Sequence, residues 1–230
     1  MAMNIRSVTL SISFIVLCAQ AIVAQEPLRY REFQLGSNLA SVAKLTGSAS
    51  SGARIIHARP TVMQDLEWRP RYYSGGASPL TDPVDLMLFR FYDDQLFMVV
   101  VDYDRRRTEG MSPADMIAAV STTYGPVSQV PSRRLGTPTV QYGFPDTPLA
   151  GWGNAEYSIT LLRVAYPESF RLVVALTRLE SLARTASDAA VRLDNDEAPQ
   201  REIDRQKREA SDSAAAQEKA KAENKAQFRP

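Results

Sequence analysis

The chain is poor in the residues that carry most metal and thiol chemistry. Its 230 residues include one cysteine, Cys18, and one histidine, His57. A single cysteine excludes a disulfide scaffold and a multi-cysteine metal site. A single histidine excludes H-E-x-x-H and any site with two histidine ligands. There is no G-K-[ST] phosphate loop and no G-x-S-x-G elbow to expose a serine nucleophile. Neither sign of charge dominates, since 27 Lys and Arg face 26 Asp and Glu. That balance argues against a nucleic-acid module and gives a partner of neither sign an advantage. Hydrophobic residues make up 44% and aromatics 8%, as in an ordinary globular domain. Nothing in this inventory implies a cofactor.

One apolar run stands out, at the start. Arg6 precedes an apolar stretch from Val8 to Leu17, and the small residues Ala19, Ala21 and Ala24 follow. This order predicts a secretory signal peptide over residues 1–24, cleaved after Ala21 or Ala24. The stretch is short for a bilayer span, which needs roughly 20 apolar residues. Leu17 directly before Cys18 argues against lipidation, so the thiol leaves with the leader. The expected mature chain is exported, periplasmic or secreted, with no thiol, no net charge and no transmembrane helix.

What remains divides in two. Residues 25–193 hold nearly all the aromatic and β-branched side chains. Residues 194–230 hold 17 charges, with Ile203 and Phe228 as the only large apolar residues. That tail buries too little surface to offset the entropy of ordering, so it reads as a flexible arm or a solvated helix. Pairs such as Asp204 with Arg208 and Glu202 with Arg205 favour the helix. No heptad of apolar positions supports a coiled coil.

Two helices in the domain have clear punctuation. The first is capped by Gly36-Ser37, runs through Leu39, Val42, Ala43 and Leu45, and stops at Gly47. The second has Ser112 as N-cap, Pro113 at the first helical position, Asp115 at the third, and Tyr124-Gly125-Pro126 as its stop. Hairpins are predicted over 85–103 around Asp93-Asp94 and over 157–178 around Pro167-Glu168-Ser169. Shorter strands are expected at Leu28–Gln34, Arg54–Arg59, Asp65–Tyr73 and Pro138–Phe144, and a last helix at Leu179–Leu193. A unit of helix, short strand, Trp-bearing segment and hairpin occurs twice, over 28–104 and 105–180, with a period of about 74 residues from Gly36 to Gly110. The expected fold class is therefore α+β, with helices packed on an antiparallel sheet and an internal duplication of the unit.

The segments FQLGSNLASVAKLTG and RTEGMSPADMIAAVSTTYGP resemble the helix starts of the small envelope proteins grouped around the SmpA/OmlA outer-membrane lipoproteins. These share a fold with the tandem β-lactamase-inhibitor proteins. The resemblance covers about 35 of the 230 residues. It implies helices on an antiparallel sheet and an envelope location, with a binding role by analogy. The lipidated cysteine of that group is missing.

Chemical candidates are few. His57 lies on a predicted strand and reads as a structural histidine. Asp102 and Asp104 have calcium-loop spacing, but Arg106 occupies the next ligand position, so no metal site is expected. Asp93-Asp94 reads as a turn rather than an acid/base pair. Gly151-Trp152-Gly153 lacks the third glycine and the helix of a nucleotide motif. Two clusters remain as binding candidates. Trp68, Arg69, Arg71, Tyr72 and Tyr73 form an aromatic and arginine patch that suits a protein or cell-wall partner. Arg105, Arg106 and Arg107, ahead of the helix start at Ser112, form a candidate anion site. The leading expectation is a noncatalytic envelope interaction module. The alternatives are an envelope hydrolase using Asp/Glu chemistry, which needs paired carboxylates in a cleft, and a small-ligand carrier, which needs an apolar cavity between helix and sheet.

Overall fold

A computed structural model describes residues 28–70, 82–128, 146–166, 168–227 and 229. The leader, the strand expected at Pro138–Phe144, and Arg71, Tyr72 and Tyr73 lie outside the described residues.

The domain is built on long two-residue hairpins. Strand β5 (Val84–Tyr92) turns at Asp93-Asp94 into β6 (Gln95–Tyr103). Both aspartates have positive φ, 47° and 59°, the backbone that a two-residue turn needs to match the twist of its strands. Strands β8 (Tyr157–Ala165) and β9 (Glu168–Leu176) form a hairpin of the same lengths. Its turn is shorter than the sequence suggests, because Glu168 and Ser169 already belong to β9 and pair with Ala165 and Val164.

Outer strands complete one seven-stranded antiparallel sheet. They are β3 (Arg54–His57), β4 (Met63–Trp68) and β7 (Thr147–Gly153). The order is β3-β4-β5-β6-β9-β8-β7, so the last strands of the two hairpins meet in the middle. Each half arrives in the same sequence: helix, Trp-bearing strand, hairpin. The first half adds β3 at its edge, paired to β4. Val99 opposite Val174 and Val101 opposite Leu172 form the seam between β6 and β9.

Alternation along the strands divides the core between two faces. Phe89, Phe91, Val99, Leu161, Leu172 and Val174 lie on one face with helices α1 (Leu39–Thr46) and α2 (Pro113–Tyr124). Met63, Phe97, Met98, Val173 and Ala175 lie on the other with Leu179, Ala183 and Ala186 of helix α3 (Thr177–Gln227). In β6 the alternation is interrupted. Phe91 pairs with Leu96 and Arg90 with Met98, so Phe97 is an extra residue, and Phe97 and Met98 both reach the α3 side. The α+β class with helices on an antiparallel sheet is thus the observed one.

Local chemistry explains most boundaries. Asn38, rather than Ser37, caps α1, its side-chain oxygen accepting from the Ser41 N–H at 2.9 Å. Ser37 instead donates its hydroxyl to the Gln34 carbonyl. The strand expected at Leu28–Gln34 is a miniature hairpin, β1 (Arg29–Tyr30) and β2 (Phe33–Gln34), reversed at Arg31, whose φ is 54°. For α2 the expected capping box is present in full. Trp152 of β7 is fully buried and donates its indole N–H to the Gly125 carbonyl (2.9 Å) and to Ser121 Oγ (3.2 Å), fixing the end of α2 to the sheet. Gly153 next to it has φ 133°, and a Cβ there would meet the Tyr157 carbonyl at 2.2 Å. The G-x-G of this segment therefore serves a tight β7–β8 connection.

The last helix, expected to end at Leu193, runs on to Gln227, so the tail takes the solvated-helix alternative. Arg59 makes a bidentate ion pair with Glu197, two bonds of 2.8 Å, near the edge of the sheet. Pro199 lies inside the helix, where it removes a backbone donor. One turn upstream, the Arg201 guanidinium donates to the Asp194 carbonyl (2.8 Å) and to its carboxylate (3.1 Å). Further along, the ion pairs at Arg205, Lys219 and Lys221 are all at i,i+3 or i,i+4 spacing within the helix. They offer what a helix without a buried face has to rely on.

Candidate functional site

A cleft of about 430 Å³ lies between α2, the β1–β2 hairpin and the sheet. Its apolar side comes from Met116 and Val120 on α2 and from Leu172 on β9. These positions follow from α2's helical spacing and from Leu172's parity on the α1/α2 face of the sheet. Three tyrosines converge here, each the last residue of its element: Tyr30 of β1, Tyr103 of β6 and Tyr124 of α2.

The tyrosines form a linked group. The Tyr103 and Tyr30 hydroxyls interact, and Tyr124 donates to the Arg29 carbonyl at 3.3 Å. Burial pushes all three phenols up from their usual range, Tyr124 to about 12. For Tyr30 the neighbouring Arg31 guanidinium opposes the effect of burial. All three therefore stay neutral at physiological pH.

Two arginines border the cleft. Arg31 is bound to both oxygens of Asp82, at 2.9 and 2.8 Å, and sits over the Tyr30 ring at 5.6 Å. The hydrogen bond to Asp82 holds the Arg31 guanidinium in its charged form and the Asp82 carboxyl below the usual range. Arg107 stands on the turn after β6. Asp104 fixes that turn by accepting from the Arg106 N–H (2.7 Å) and the Arg107 N–H (3.1 Å). Among the described residues the cleft lining contains no carboxylate. No group of three or more His, Cys, Asp or Glu among them could hold a metal ion.

The arginine triplet does not converge on one point. Arg107 lines the tyrosine cleft, whereas Arg105 lines an adjoining depression, which shares Thr108 and Met111 with the cleft, together with Arg163 and Glu168, which pair with each other. Arg106 lines neither. The start of α2 offers an anion little, because Asp115 already accepts there from the Ser112 N–H (2.8 Å) and hydroxyl (2.7 Å). Of the aromatic patch, Trp68 is half-buried against Phe33, ring edge to face with centroids 6.1 Å apart. Arg69 is exposed and paired with Asp85 at 3.0 Å and Glu67 at 3.4 Å. Phe33 lies opposite Tyr30 in the β1–β2 pair. The small hairpin therefore stands between Trp68 and the cleft.

His57 is half-buried on β3 beside α3, among Met63, Phe97 and Ala183. A second charged group, Arg171 with Asp102 and Asp146, is buried in the sheet. Arg171 is 4% exposed, and the carboxylates outweigh burial to keep it charged. It joins β6 and β9 to the start of β7 and lines none of the clefts described here.

Sequence reasoning missed Tyr30, Tyr103, Tyr124 and Arg31, because they lie on different elements far apart in the chain. The one available signal was weak: an aromatic closing each of three elements. Comparison with protein-family models, with curated proteins and with solved structures finds no match, so the site rests on its own geometry.

Proposed function

We propose that the chain is an exported, noncatalytic binding module of the bacterial envelope, and that its working site is the tyrosine-lined cleft, which holds a small apolar molecule. The observation that carries this reading is the 430 Å³ cavity between helix and sheet, apolar in its floor and free of carboxylates among the described residues. Small-ligand sites have this size and make-up, and the cavity has room for on the order of a dozen non-hydrogen atoms. Asp/Glu hydrolysis needs two facing carboxylates, which this lining does not supply. The leader, and the resemblance of both helix starts to SmpA/OmlA-like domains, support the envelope location. Of the aromatic patch, Trp68 and Arg69 are both engaged within the domain.

The test uses N-phenyl-1-naphthylamine, a neutral dye that fluoresces in apolar surroundings. The full chain is expected to bind it saturably, with one site per chain. Ala119 is exposed and lines the cleft, so Ala119→Trp fills the cavity without entering the core. That variant should weaken binding about tenfold or more with thermal unfolding unchanged. Saturable binding that Ala119→Trp leaves intact would refute the assignment.

A further inference from the structure

We infer that the cleft selects an amphipathic carboxylate, with an apolar body of about ten carbons inside and its anionic end on Arg107. The inference rests on reading the cleft as a small-molecule site and adds the chemistry of the head group.

It follows from which polar groups at the cleft are already engaged. Both Asp82 oxygens hold Arg31, so that cation is neutralised before any ligand arrives. Tyr124 donates to a backbone carbonyl, and the Tyr103 hydroxyl faces Tyr30. Arg107 differs. Its backbone is anchored by Asp104, and Thr108 next to it is buried with its hydroxyl on the Asp104 carbonyl. Its guanidinium, however, makes no hydrogen bond or ion pair with any described residue. A fixed base thus carries an unengaged five-donor fork at the rim of an apolar cavity. Arg107 is exposed at the rim, and the lining it shares holds the three tyrosines and the compensated Arg31, with no negative charge among the described residues.

One guanidinium selects among anions. Its planar fork matches the two oxygens of a carboxylate, with one charge on each side. A phosphate dianion would need a second cation, but Arg105 belongs to the neighbouring depression and Arg31 is held by Asp82. The floor of Leu172, Met116 and Val120 then requires a body without further polar atoms.

Three ten-carbon probes that differ at the head separate the alternatives: decanoate, decanol and decylammonium. Each is titrated against the dye-loaded full chain, in the parent and in Arg107→Gln. Decanoate should displace the dye about tenfold more tightly than decanol, with decylammonium the weakest. Arg107→Gln should remove the advantage of decanoate and leave decanol unchanged. Arg105→Gln should leave all three as in the parent. Equal binding of decanoate and decanol by the parent would overturn the head-group inference while the cleft kept its role. An unchanged preference in Arg107→Gln would overturn it as well. Failure of all three probes to displace a dye that Ala119→Trp does weaken would overturn the amphipathic ligand, whereas a parent chain that does not bind the dye saturably would remove the small-molecule reading itself.

Discussion

Asp94 does two jobs that substitution can separate. It is the second residue of the β5–β6 turn, with φ 59°, and its carboxylate accepts the Leu39 N–H at 2.9 Å. Leu39 opens α1, an eight-residue helix whose first donors have few partners of their own. Asp93 shares the positive φ but has no such bond to α1. Glycine at either position relieves left-handed backbone by up to about 1 kcal/mol. Asp93→Gly should therefore be neutral to slightly stabilising. Asp94→Gly gains the same relief and loses a charged cap at a helix N-terminus, which is worth about 1–2 kcal/mol. The two variants should differ by that amount. With a urea m-value of about 2 kcal/mol/M, their midpoints would lie roughly 0.5–1 M apart. Asp94→Asn keeps an acceptor and tolerates the turn, so it should fall within about 0.5 kcal/mol of the parent. Urea unfolding followed by far-ultraviolet circular dichroism reads all three. If Asp94→Gly proves as stable as Asp93→Gly, the Asp94–Leu39 bond does not hold α1 to the hairpin.

Two further outcomes follow from buried side chains. Trp152→Phe loses the indole N–H and leaves a smaller ring in a full core, so urea unfolding should show a loss of about 2–3 kcal/mol. The three cleft phenols ionise above their ordinary value. In the unfolded chain they ionise first, near pH 10, so the stability they contribute is complete below about pH 10 and declines as pH rises towards 12. Phenolate absorbance at about pH 11 should accordingly leave Tyr103 and Tyr124, two of the nine tyrosines, un-ionised until the domain unfolds.

Elements whose signals are local were legible in the sequence. Ser112, Pro113, Asp115 and Gly125 bracket α2 within fourteen residues and act on neighbouring backbone groups. Asp93-Asp94 announces its own turn for the same reason. The Phe97 bulge was hidden, because the run from Leu96 to Val101 is apolar on both faces and shows no alternation to interrupt. The length of α3 was hidden by Pro199 and by the lack of any apolar periodicity beyond it. Its helicity rests on side-chain pairs and on Arg201, each weak by itself. The cleft was the least legible feature. Tyr30, Tyr103 and Tyr124 meet only because β6 stands in mid-sheet and α2 packs on the same face of that sheet, and strand order cannot be read from periodicity.

The central seam has a consequence for the lifetime of the chain before it is fully folded. Each hairpin closes over a two-residue turn, and each ends on a strand that is apolar on both faces, LFMVVV in β6 and LVVAL in β9. A half that folds first would display that strand with its backbone donors and acceptors open along one edge. Such an edge is a template for any extended chain, including another copy of itself. Each half is therefore the other's chaperone. A mutation that slows only the second hairpin should show itself first as aggregation, before the folded domain loses any stability.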